Sequence, residues 1–145
     1  MDAMTAAAQT PAPSTAPRGL RLFNALIGVT TLGIFLQAVT AGEFVSQKDR
    51  DGWITVHNIV ANATIVVALV TAVVGLVLVR ATDRVLAWSG LVLFVLLVIQ
   101  TVLGHLITEG KADGWIGVHV PLAFVVIALA VWMSIRGAQV RRRAA

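Results

Sequence analysis

Four apolar runs, at 20–44, 54–79, 85–107 and 115–135, take up most of this chain, and each is long enough for a bilayer core that needs about 20 helical residues to cross. Few folds accommodate four such runs in 145 residues. Backbone polar groups in hydrocarbon must be satisfied without water, which leaves helices or closed barrels. Membrane strands would be about half this length and would alternate in polarity, and these runs do neither. Composition agrees, with 58% of residues hydrophobic and 12% charged, against about a quarter charged in an ordinary soluble domain. The expected fold is all-α, a transmembrane four-helix bundle over residues 18–137. Residues 1–17, with three prolines among Ala, Thr and Ser, read as a disordered tail, and 138–145 as a basic tail.

Charge sets the expected orientation. Arg18, Arg21, Arg80, Arg84, Arg136, Arg141, Arg142 and Arg143 fall at one end if the helices alternate, against Lys48, Arg50 and Lys111 at the other. The positive-inside rule then puts both termini in the cytoplasm, N-in and C-in, with Trp53 and Trp115 at the outer interface and Trp88 and Trp132 at the inner one. The net charge of +4 therefore reflects topology, and no nucleic-acid partner is expected. The first run exceeds the apolar region of a signal peptide and is expected to stay as helix 1. With no cysteine, thiolate metal sites and iron–sulfur clusters are excluded.

The chain also repeats. DGWITVH at 51–57 returns as DGWIGVH at 113–119, and Leu36-Gln37-Ala38-Val39 parallels Ile99-Gln100-Thr101-Val102. The unit is a two-helix hairpin of about 62 residues. Each hairpin begins and ends on one side, so the copies are parallel repeats about a pseudo-two-fold axis along the membrane normal. Helix 1 should face helix 3 across the core, and helix 2 should face helix 4. Helical spacing picks out seams of mostly small residues: His57, Ala61, Thr64, Ala68, Ala72 and Gly75 on helix 2, and His119, Ala123, Val126, Ala130 and Gly137 on helix 4. On helix 1 the expected seam is Gly28, Thr31, Phe35, Ala38 and Gly42; on helix 3 it is Gly90, Phe94, Leu97, Thr101 and Gly104.

Two of the three histidines, His57 and His119, are thus repeat mates at one depth, each about a turn inside a tryptophan. Ionisable residues inside a membrane are costly and point to function. Paired neutral imidazoles across a four-helix bundle suit axial ligation of a haem iron between helices 1 and 3. Both axial positions are then filled, which favours electron transfer or cofactor holding over oxygen chemistry. Lys48, Arg50 and Lys111 are placed to neutralise propionates, Gln37 and Gln100 to hydrogen-bond beside the ligands, and the small residues Gly42 and Gly104 to leave room. The bland alternative makes both histidines interfacial anchors in a colourless accessory protein. A third reading gathers His57, His119 and His105 around copper or zinc. His105 has no repeat mate, because it aligns with Gly42, and fits better as a propionate partner or a gate. Glu43 and Glu109 read as solvated acids, and Asp51 and Asp113 as N-caps of helices 2 and 4.

The stretch QTVLGHLITEG at 100–110, followed by WIGVHVPLA at 115–123, resembles the third and fourth helices of one half of haem A synthase, over roughly residues 20–136 in all. That family has two four-helix halves, each with paired histidines on its second and fourth helices near the outer surface. The resemblance implies a b-type haem held by His57 and His119, one per chain, and leaves room for a homodimer that restores eight helices. It departs where chemistry matters. The family's catalytic glutamate one turn before the second-helix histidine is replaced by Trp53 and Ile54, and its loop cysteines are missing. Haem binding is the expectation and synthase activity is not. The chain is also similar to small four-helix membrane proteins of high-GC bacteria, which implies the bacterial cytoplasmic membrane. A quinone or a membrane redox partner would exchange electrons with it.

Overall fold

The computed structural model describes residues 18–110 and 113–143. It contains α1 (Arg18–Ser46), α2 (Arg50–Val74) running on through one π turn (Gly75–Val79), α3 (Arg84–Thr108) and α4 (Ile116–Arg143), the last entered by a 3-10 turn (Asp113–Trp115). No strand occurs among the described residues. All four helices are long and apolar enough to cross a membrane. The tail expected at 1–17 lies outside the described residues. The basic stretch expected as a tail after 137 is instead helix as far as Arg143, because Ala, Gln and Arg favour helix and cations at a helix C-terminus suit its dipole.

Short connections make consecutive helices antiparallel. α1 and α3 each pack against both α2 and α4, while the diagonal pairs α1–α3 and α2–α4 do not meet at the backbone. The bundle is therefore a ring of four with one end rich in arginine and the other carrying the histidines.

Burial follows the repeat at most core positions. Phe23, Ile27, Thr30, Ile34 and Thr40 are buried in α1, and their repeat mates Leu86, Gly90, Leu93, Leu97 and Leu103 are buried in α3. Thr64, Ala68, Thr71 and Gly75 correspond likewise to Val126, Ala130, Met133 and Gly137. The seams expected on α2 and α4 thus face inward below their histidines. On α1 the expected seam is wrong: Gly28, Phe35, Ala38 and Gly42 are exposed, and the buried stripe runs through large residues. The reason is complementarity. The α2 face offers Ala68, Ala72 and Gly75, so its neighbour must supply volume to reach interior packing density. Phe23 does so, with its ring edge 3.0 Å from where a Cβ on Gly75 would lie and 3.6 Å from the same point on Gly90.

The caps also differ from expectation. Asp49, not Asp51, caps α2, accepting the Gly52 N–H at 3.1 Å; Asp51 falls in the first turn. Asp113 opens the 3-10 turn ahead of α4. At the arginine end Asp83 caps α3 through the Leu86 N–H at 2.9 Å and takes a two-pronged bond from Arg136, Nε at 2.9 Å and Nη2 at 3.1 Å. The guanidinium carbon also lies 5.5 Å from the Trp132 ring centroid. Burial pushes the Asp83 carboxyl up, but the Arg136 and Leu86 bonds outweigh it and hold the group below its usual range.

Candidate cofactor site at the histidine end

His57 and His119 lie on the ring's diagonal helices, two turns and one turn respectively into α2 and α4. Both residues are half-buried. Each is tied to its own hairpin by the same bond: Gln37 Nε2 donates to the His57 carbonyl at 2.8 Å, and Gln100 Nε2 to the His119 carbonyl at 2.8 Å. The glutamines expected beside the rings therefore hold the histidine backbones. This places both side chains at one depth in the repeat.

The ring nitrogens are treated differently. Thr40 Oγ1 lies 2.9 Å from His57 Nδ1, 3.0 Å from the Leu36 carbonyl and 3.2 Å from the Gln37 carbonyl. Carbonyls only accept, so the single hydroxyl proton goes to one of them and Oγ1 accepts from His57 Nδ1–H. That assignment leaves neutral His57 with a bare Nε2. Phe44 meets the same ring edge-on, centroids 5.4 Å apart. His119 has no such partner: its Nδ1 is buried and without a hydrogen bond, as is Gln100 Oε1. The position of Thr40 is taken in the second repeat by Leu103. Sequence reasoning missed Thr40, because its partner lies across the hairpin and the repeat shows a leucine there.

The remaining expected residues divide into near and far. Gly104 adjoins the site, since a Cβ there would stand 3.5 Å from His119 Cε1. Gly42 does not; it is exposed, with nothing within 4 Å of its Cβ position, because the buried stripe of α1 runs along Gln37 and Thr40. His105 turns its Nδ1 to the Thr101 carbonyl of its own helix at 2.9 Å, which makes Nδ1 the donor and leaves Nε2 bare. Among the described residues no three of His, Asp or Glu gather as a metal site. Lys48 and Arg50 are exposed in the α1–α2 connection and at the start of α2, at the histidine end. Lys111 lies outside the described residues. Glu43 accepts from Gln47 Nε2 at 2.9 Å, and the Glu109 N–H closes α3 on the His105 carbonyl at 2.9 Å.

The two ends of the bundle also differ in density. Phe23, Leu20, Ile27, Leu86, Met133 and Val79 are all under 2% exposed and lie towards the arginine end. Residues 115–118, 120 and 121 of the 3-10 turn and α4 are exposed, with only His119, Leu122 and Ala123 half-buried nearby. The loosely packed end is the one that carries the histidines. The chain matches no protein-family model, no curated protein and no solved structure.

Proposed function

We propose that this chain is an integral membrane protein that binds one b-type haem between His57 and His119 and serves as a small cytochrome in electron transfer or haem handling. The observation that carries the reading is the symmetric pair of histidines held by Gln37 and Gln100, with His57 fixed as the Nδ1–H tautomer. Histidines that ligate a metal characteristically donate the other ring N–H to an acceptor, as His57 does to Thr40. The buried, unpartnered His119 Nδ1 and the bare backbone at Gly104 fit a site that accepts a flat group.

Haem supplies a one-electron carrier whose potential depends on axial ligands and burial. This chain's contribution is to hold the two imidazoles across the ring, to keep Nε2 of His57 unprotonated, and to present Lys48 and Arg50 toward propionates. The arginine-rich end faces the cytoplasm of a bacterial inner membrane by the positive-inside rule, which puts the site in the outer half. A redox partner then lies outside, in the quinone pool or in a neighbouring membrane protein. The likeness to half of haem A synthase supports haem binding without its oxidation chemistry.

Absorption spectra of the detergent-purified protein, after haem addition and with dithionite, test the reading. The expected result is a low-spin haem with sharp reduced α and β bands that His57→Ala and His119→Ala each alter. A protein that stays colourless after haem addition overturns it and favours the accessory-protein alternative; copper or zinc retained at one equivalent and lost in His105→Ala would favour the three-histidine site.

A further inference from the structure

The two histidines stand on unlike foundations, and the difference runs through several contacts. His57 is the eighth residue of a helix capped by Asp49, whereas His119 is only the fourth residue of α4, which is entered by a 3-10 turn. Thr55, two residues before His57, donates to the Asp51 carbonyl at 2.9 Å; its repeat mate is Gly117, with nothing within 4 Å of its Cβ position. Pro121 stands where the first repeat has Ile59. Lacking an N–H, it leaves the Gly117 carbonyl without its helical donor. His57 keeps Thr40 on Nδ1 and Phe44 against its ring, while His119 Nδ1 has neither.

Resting on the bis-histidine reading, we infer that the ligands are non-equivalent: His57, positioned by Thr40, is the anchoring ligand that takes haem first, and His119 is the exchangeable one that gives way to a small neutral ligand. Thr40 is thereby a positioning residue, acting through His57. A ring whose second nitrogen has no partner, as in His119, dissociates more readily than one locked at its second nitrogen. The site is closed at rest and opens on the α4 side, so its exogenous ligands belong to the class of diatomics and free imidazole.

The test uses full-length protein in detergent with added haem, carbon monoxide as the probe of the ferrous state and imidazole as the probe of the ferric state. His119→Ala is expected to retain haem as a five-coordinate species that imidazole returns to low spin. His57→Ala is expected to lose haem on gel filtration, with an affinity lower than that of His119→Ala by about tenfold or more. Wild-type ferrous protein should bind carbon monoxide. Leu103→Thr, which offers His119 the hydroxyl that His57 enjoys, should weaken that binding by about tenfold. Thr40→Leu should lower haem retention and Thr40→Ser should restore it. Equal haem loss in the two histidine variants overturns the inference, as does a low-spin wild type that refuses carbon monoxide; both outcomes leave haem binding itself intact. A wild type with no Soret band after haem addition instead sinks the bis-histidine reading beneath it. Should Thr40→Leu fail to fold, the comparison of His57→Ala with His119→Ala decides alone.

Discussion

The first hairpin buries threonine where the second buries hydrocarbon. Thr30, Thr40, Thr64 and Thr71 are the buried polar residues among those described, and their repeat mates are Leu93, Leu103, Val126 and Met133. Each threonine hydroxyl donates to the carbonyl one turn back, at 2.7 to 3.0 Å. A hydroxyl satisfied within its own helix can occupy an apolar seam without an unpaired donor. The same burial pattern therefore tolerates two chemistries, and packing geometry is what the repeat has kept. Only Thr40 directs its oxygen to a titratable ring, so one of these exchanges reaches the site.

Phe23 and its mate Leu86 offer the strongest test of that equivalence. Both are fully buried, but Phe23 rests on Gly75 and Gly90, two positions with no side chain to collapse into a cavity. Phe23→Ala should destabilise the bundle by about 3–5 kcal/mol and Leu86→Ala by about 2–4 kcal/mol, measured by unfolding in mixed micelles. Equal losses would mean that the glycine seam relaxes. A smaller effect is expected at Asp83, whose repeat mate is the buried Leu20. The folded carboxyl lies below its ordinary value of 3.8, so its stabilisation is complete above that value and fades as pH falls through the lowered one. Asp83→Asn keeps a capping side chain but loses the ion pair, costing about 1 kcal/mol at neutral pH because Arg136 is partly solvated. Wild type should lose this advantage over the variant below about pH 4, and a difference that persists unchanged at lower pH would assign the effect to the cap alone. Thr71→Val should be smallest. Its hydroxyl lies 3.3 Å from that of Thr30, yet both are already bonded to their own helices, so the change should stay within about 1 kcal/mol. A larger loss would show that the hydroxyl pair binds the hairpin together.

The spans and the duplication were legible because length and exact repetition are local properties of sequence. The inward faces of α2 and α4 were legible too, since small residues at helical spacing have few other uses in a membrane. The face of α1 was not: a stripe of Phe23, Ile27 and Ile34 resembles any lipid-facing stripe until its glycine-lined neighbour is known. Asp49 was hidden by Asp51 in the repeated heptapeptide, which drew attention to the wrong carboxylate. Asp83 gives no signal in the sequence, because its partner Arg136 lies more than fifty residues away in the chain. His57 and His119 stood out through their symmetry, whereas Thr40 and Leu103 matter through the lack of it.

Matched burial in the two hairpins has a further consequence for assembly. The pairs α1–α4 and α2–α3 join one hairpin to the other around a pseudo-two-fold axis, so each hairpin presents to its companion nearly the surface it receives. In oligomer terms the chain is a tethered isologous dimer, and the connection at 80–83 acts as a linker that raises the effective concentration of one half for the other. Two separately expressed hairpins, cut in that connection, are the form in which such a bundle reassembles by mass action.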